Sequence, residues 1–218
     1  MSNPSDGQIK IFAGSASKVF VDKMCKYLET EPGKSYTHIF TEGSTYVRAD
    51  ESIRDKDVYI VQTIGKNPND SFMELIFWVD AFRRASANSI TAIIPYFGYA
   101  KADKKDEPRV SIRARVCADC IELCGCDRVL TMDLHAAQVQ GFFTKPVDHL
   151  YASSLLCEYA RRMGIVNDNL VVVSPDAGSA KRARAYANMI GCNVAIGDKV
   201  RLGHDENPNA LEIIGDVK

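Results

Sequence analysis

Short apolar runs alternate along the chain with stretches in which apolar residues recur every three to four positions. The runs are "IKIFAG" (9–14), "DVYIVQT" (57–63), the opening of "SITAIIPYFGYA" (89–100), "DRVLTMD" (127–133), "NLVVVSPD" (169–176), "CNVAIGDK" (192–199) and "LEIIGDV" (211–217). They are rich in Val and Ile, which favour strands buried on both faces. Between them lie helix-period segments at 17–30, 70–87, 111–125, 153–164 and 178–191. Asp70 or Ser71 is available to cap the second helix, and Gly164 closes the fourth. Strands alternating with helices predict an α/β fold with a largely parallel, doubly wound sheet. The stretch from Pro146 to Tyr151 reads as a linker, after which a fresh strand-helix series begins. The expectation is therefore two packed α/β lobes, residues 1–148 and 149–218, with a site between them.

In such sheets ligands lie beyond the carboxyl ends of the strands. That rule selects "YFGYAKADKKDEPR" (96–109), "DLHAAQ" (133–138), "PDAGSAKR" (175–182) and "DKVRLGHDENPN" (198–209). Asp133 and His135 flank Leu134 and share a side if strand geometry persists. This pair can hold a turn or a ligand. Asp176 can initiate a turn and cap a helix, or bind. Together one imidazole and two carboxylates suit Mg2+ held with waters and a polyphosphate. The charge-dense "KADKKDEPR" is either a solvated loop or a grip on phosphates. Lys199 and Arg201 share one side of an extended segment. Two cations facing a metal match phosphoryl-type transfer, in which the protein chiefly positions phosphates and neutralises charge.

Composition narrows the field. The chain has 218 residues, 46% of them hydrophobic, enough for one large domain or two small ones. A net charge of −1 gives no general attraction to nucleic acid or anionic membrane. The polar start "MSNPSDGQIK" lacks the apolar core of a signal peptide, and no apolar run approaches membrane-spanning length. A soluble, cytoplasmic protein is expected. Cys117, Cys120 and Cys124 fall at i, i+3 and i+7 of one predicted helix, with Val116 close by. With Cys126 they could suggest zinc, but no second matching cluster exists, and buried thiols are the better reading. Seven cysteines, an odd number, argue against a disulfide framework. Neither G-x-x-x-x-G-K-[ST] nor G-x-G-x-x-G after the first strand occurs, which disfavours P-loop kinases and dinucleotide enzymes.

The block "DLHAAQVQGFFTKPVD" (133–148) closely resembles the signature of the ribose-phosphate pyrophosphokinase (PRPP synthetase) family. "IKIFAGSAS", "MELIFWVDAFRRASANSITAIIPYFGYAKADKK", "VVVSPDAGSAKRARAYA", "GDKVR" and "EIIGDV" resemble it in the same order, so the likeness covers nearly the whole chain. The resemblance implies two phosphoribosyltransferase-like lobes and transfer of the β,γ-pyrophosphoryl group of MgATP to ribose 5-phosphate, giving PRPP and AMP. His135 and Asp176 match Mg2+-linked residues, with Asp133 beside them, and His135 also belongs to the ATP site. Lys199 and Arg201 match a catalytic flexible-loop pair. Lys101, Asp103 and Lys104 match the ATP loop. Phe40, Glu42 and Ser44 match an ATP-site segment that reaches a neighbouring subunit, and a homo-oligomer of dimers building to a hexamer is implied.

Departures from the family pattern carry their own expectations. Lys101 and Ala102 stand where the family usually has Arg and Gln, and Lys lacks the planar fork of Arg. Ser44 stands where a carboxylate is usual. No paired Asp followed by a Gly/Thr loop, the family's cradle for ribose 5-phosphate, occurs in residues 1–218. The expectation is a second lobe that is incomplete, a C-terminal third that is absent, and little PRPP formation by this chain alone. A catalytically deficient regulatory or assembly subunit is the alternative reading. A phosphoribosyltransferase acting on a nucleobase is weaker, since it does not explain the 133–148 block.

Overall fold

A computed structural model of the chain describes residues 9–199, 211–215 and 217. Contacts divide it into two compact units, Met1–Leu150 and Tyr151–Lys218. The first unit runs β1 (Ile9–Ala13), α1 (Lys18–Tyr27), β2 (Ser35–Ile39), β3 (Thr45–Ala49), β4 (Asp57–Val61), α2 (Pro68–Arg84), β5 (Ser89–Ile94), α3 (Arg113–Cys124), β6 (Arg128–Met132) and β7 (Val147–Leu150). Strands β1, β4, β5, β6 and β7 form one parallel sheet in that spatial order. Successive strand residues face opposite sides, and the core follows that alternation. Phe12, Ile60, Ala92 and Ile94 join Leu75, Trp78 and Phe82 of α2 on one face. Ile11 and Val61 join Val21 and Cys25 of α1 on the other. Helices therefore cover both faces, as expected from strands that are apolar throughout.

The aromatic centre of this core is Phe12, Trp78 and Phe82. Their ring centroids are 4.8–6.2 Å apart and all three are fully buried. Each contributes about 1.5–3 kcal/mol by leaving water.

Three expectations are corrected here, and one element escaped the sequence reading. Helix α2 begins at Pro68 after Asn67, so neither Asp70 nor Ser71 caps it. Proline fits the first helical turn because its missing N–H would have no partner there. The stretch 146–151 is no linker, because Val147–Leu150 is the edge strand β7, paired with β6. Val116 is exposed and lies off the buried face of α3, whereas Cys117 is buried. Finally, β2 and β3 form an antiparallel hairpin outside the main sheet. The alternation in "SYTHIF" and "TYVRA" was its signal, blurred by mixed polarity on both faces.

The second unit runs α4 (Ser153–Arg162), β8 (Val171–Ser174), α5 (Ala180–Ile190), β9 (Asn193–Lys199) and β10 (Leu211–Ile214). Strands β8 and β9 are parallel and β10 pairs antiparallel with β9. Helix α5 packs on β8 and β9. Gly164 (φ 68°) follows α4 and Gly191 (φ 89°) ends α5, both in the left-handed region that stops a helix. Among the described residues no helix is long and apolar enough to cross a membrane.

Candidate functional site

A parallel sheet brings every strand's carboxyl end to one edge. In the first unit that edge has two halves of different character. At the ends of β1 and β4 buried polar groups are bonded to one another and to less buried neighbours. Glu74, on the buried face of α2, accepts from Ser15 N (2.8 Å), the Ser15 hydroxyl, Thr37 Oγ1 (3.4 Å), Gln62 Nε2 (2.9 Å) and Trp78 Nε1 (3.3 Å). Five neutral donors thus surround a carboxylate, which can only accept. Gln62 Oε1 accepts from Ala16 N (3.2 Å), and Ser17 Oγ donates to Thr63 Oγ1 (3.1 Å). Glu74, Gln62 and Ser17 are all buried. This network escaped sequence reading. Its signal was one carboxylate four residues before Trp78 on a largely apolar helix face.

At the ends of β5 and β6 the charges are exposed. The β5 loop begins at Gly98, where a Cβ would lie 2.4 Å from the Ile64 carbonyl oxygen. Only glycine permits that approach, which accompanies a parallel bridge between Ile64 and Phe97. Lys101 and Lys104 are exposed and Asp103 is half-buried. Ala102 contributes through its backbone: its N–H donates to Tyr99 O (3.1 Å) and its carbonyl accepts from Ala114 N (3.1 Å). The loop is thereby anchored to the start of α3.

On the adjacent strand, Asp133 and His135 are exposed on either side of buried Leu134. The extended geometry expected to align them does not persist. Asp133 has φ 45°, so β6 ends at Met132 and the chain turns. The main chain is held instead by β7, since Asp133 N donates to Leu150 O (2.9 Å) and Leu134 N to His149 Nε2 (2.9 Å). The structure thus brings the 101–104 loop and the 133–135 turn to neighbouring strand ends of one sheet.

The β2–β3 hairpin lies along α2. Thr37 meets Glu74 in the helix's first half, whereas Ala49 lines a groove with Ala81 and Ala85 near its end. The tip carrying Phe40, Glu42 and Ser44 therefore extends toward the same edge. Ser44 Oγ donates to Glu42 Oε1 (2.5 Å), and this bond, with one from the backbone, holds the Glu42 carboxyl below its usual range. Phe40 is exposed and meets His38 edge-on, with centroids 4.9 Å apart.

In the second unit Asp176 acts locally. Its Oδ1 accepts from Ser179 N (2.8 Å), and its carbonyl accepts from Ser174 Oγ (2.7 Å). Lys199 ends β9 and its side chain is outside the described set, as is Arg201 altogether. Among the described residues no group of three His, Cys, Asp or Glu side chains could hold a metal by itself. Cys117 and Cys126 are buried, and desolvation pushes their thiols up to about 12 and about 11. Cys120 and Cys124 are half-buried, and none of the seven cysteines is paired.

A parallel sheet with charged loops gathered at its carboxyl ends puts the unit in the class of open α/β proteins that bind ligands at that edge. The comparisons narrow that class. Residues 9–125 match the family described as the N-terminal domain of ribose phosphate pyrophosphokinase. Ribose-phosphate pyrophosphokinase of Rhodopirellula baltica is 46% identical over 94% of this chain and 63% of its own length. A chloroplastic ribose-phosphate pyrophosphokinase of Spinacia oleracea is 43% identical over 99% of this chain and 55% of its own. The crystal structure of phosphoribosylpyrophosphate synthetase from Mycobacterium smegmatis matches with a TM-score of 0.88 at 36% identity, covering 97% of this chain and 68% of that one. The chain belongs to the ribose-phosphate pyrophosphokinase family, and it spans 55–63% of the length of these two curated relatives.

Proposed function

We propose that the chain carries the ATP-handling part of a ribose-phosphate diphosphokinase. In that reaction the anomeric hydroxyl oxygen of ribose 5-phosphate attacks the β-phosphorus of ATP. The bond from that phosphorus to the α,β-bridging oxygen breaks, AMP leaves and the hydroxyl proton is released. The observation that carries this reading is the likeness to a solved synthetase over nearly the whole chain.

The residues divide the work as follows. Lys101 and Lys104 neutralise phosphate charge, with Asp103 between them. His135 contacts the nucleotide, and Asp133, His135 and Asp176 would hold Mg2+ together with the phosphates. That donor set has the chemistry of a hard cation, which seldom takes an all-protein cage. When bound, Mg2+ would supply charge neutralisation for the phosphoryl groups in transfer. Lys199 and Arg201 stabilise charge on the migrating group, so in a version extended to the relatives' length Lys199→Ala lowers turnover with little effect on ATP affinity. Phe40, Glu42 and Ser44 serve the ATP site of a neighbouring copy, which makes the working form a homo-oligomer, dimers building to a hexamer. The setting is the cytoplasm.

ATP titrated into the chain by calorimetry, with and without Mg2+, tests the reading. Mg2+-dependent binding is expected, and none at millimolar ATP would overturn it. A second reading, a nucleotide-binding subunit without catalysis, is favoured by one observation: at the hairpin tip a hydroxyl that engages Glu42 replaces the family's second carboxylate. Sugar-dependent AMP release, assayed in a version extended to the relatives' length, separates the two.

A further inference from the structure

The chain from Asp133 to Gln140 makes an unusual start. Asp133 is not glycine, yet it occupies the left-handed region at φ 45°. Such a conformation costs about 1 kcal/mol or more and persists only where its surroundings impose it. The constraint comes from β7. The parallel register pairs Thr131 with His149 and Met132 with Leu150, the last residue of that strand. Asp133 N still finds a main-chain acceptor in Leu150 O at 2.9 Å. One residue later the ladder has no further strand to use, and Leu134 N donates to a side chain instead, His149 Nε2 at 2.9 Å. Leu134 is only 4% exposed, so losing that acceptor would strand its amide at a cost of about 1–3 kcal/mol.

The chemistry of this contact is constrained. A backbone N–H is always a donor, so Nε2 must accept, and the neutral ring carries its proton on Nδ1. On that side stands Gln140, whose amide nitrogen lies 3.4 Å from Nδ1 and donates to Ala137 O at 2.9 Å. Both nitrogens carry protons, so they touch without a hydrogen bond, and the Leu134 amide is the bond that matters. The imidazole therefore touches the segment near both its ends, at Leu134 and at Gln140, and between them lies His135.

We propose that His149 is a positioning residue: by accepting the Leu134 amide it sets the turn that presents Asp133 and His135. It touches neither nucleotide nor metal and acts through the Leu134 backbone. The inference rests on the reading of 133–135 as part of an MgATP site.

Two substitutions and one spectroscopic measurement test it. His149→Leu removes the acceptor while keeping apolar bulk. His149→Gln puts an amide oxygen near the position of Nε2. MgATP affinity, measured well below the melting temperature of each variant, is expected to fall about tenfold in His149→Leu and to return to within about threefold of wild type in His149→Gln. Wild-type affinity in His149→Leu, or an equal loss in both variants, overturns the proposal, because a residue that only stabilises the fold would move the melting temperature alone. His135→Ala is the control for the underlying site: if it binds MgATP like wild type, the site reading fails separately. In that event the contact is still decided by NMR on the 218-residue chain. A two-bond nitrogen–nitrogen coupling between the Leu134 amide and His149 Nε2, with slowed exchange of that amide, supports the proposal. Absence of the coupling overturns it.

Discussion

The two halves of the carboxyl edge use polar residues in opposite ways. At the ends of β1 and β4 a carboxylate, an amide and the Ser17 hydroxyl are buried and hydrogen-bonded, with Glu74 taking five donors. At the ends of β5 and β6 two lysines, an aspartate and a histidine are exposed on turns whose backbones are held from elsewhere, by α3 and by β7. The inward half acts as a frame, fixing the first strand's loop, the hairpin and α2 to one another. The outward half leaves side chains on a main chain that is already fixed. Binding sites need that combination, since charges held by a rigid scaffold require little reorganisation when a ligand arrives.

Substitutions on the two sides should therefore separate stability from binding. The largest effect is expected from Glu74→Ala, which leaves several buried donors facing a void. A loss of about 3 kcal/mol is expected in urea unfolding. The sole tryptophan, Trp78, sits on the network and reports the transition. A loss below about 1 kcal/mol would mean that water replaces the carboxylate freely and that the inward half is no frame. Next comes Gly98→Ala, with about 2 kcal/mol expected from forcing a methyl against the Ile64 carbonyl. Because Gly98 starts the lysine loop, this variant should also weaken MgATP, which Glu74→Gln should do far less. Equal effects of the two on affinity would erase the division.

The smallest effect is expected at the hairpin tip. Glu42 is held below the usual glutamate range by the Ser44 hydroxyl first and by its backbone second. A depressed carboxyl adds stability above its unfolded-state pKa and loses it as pH falls through the lowered value. Here the group is fully exposed, so the melting temperature should not move. In Ser44→Ala the carboxyl titration of Glu42, followed by carbon NMR, should shift upward toward the ordinary value. An unchanged titration would remove Ser44 as its partner.

The main sheet was legible in the sequence because its strands are apolar on both faces and its helices keep a clean period. "DVYIVQT" and "SITAII" leave little choice. The hairpin was not, because Tyr36, His38, Phe40 and Tyr46 make an exposed aromatic face that has no apolar–polar contrast. Strand β7 hid behind Pro146 and a short "VDHL" whose place is set by pairing with β6, a contact between distant segments. At the site, residue types were readable and their geometry was not. Asp133 and His135 stood out as chemistry at a strand end, but the left-handed turn at Asp133 depends on β7 and His149, and no local pattern announces it. Asp176 offered a cap and a ligand alike, and the structure contains the cap.

Amide chemical shifts of the chain during titration with MgATP would test the division of the edge most directly. Perturbations are expected along residues 98–105 and 133–140, with the amides of Gly14 to Ser17, Gln62, Thr63 and Glu74 nearly unmoved. Shifts concentrated on that second group, with the lysine loop and the Asp133–His135 turn silent, would contradict it.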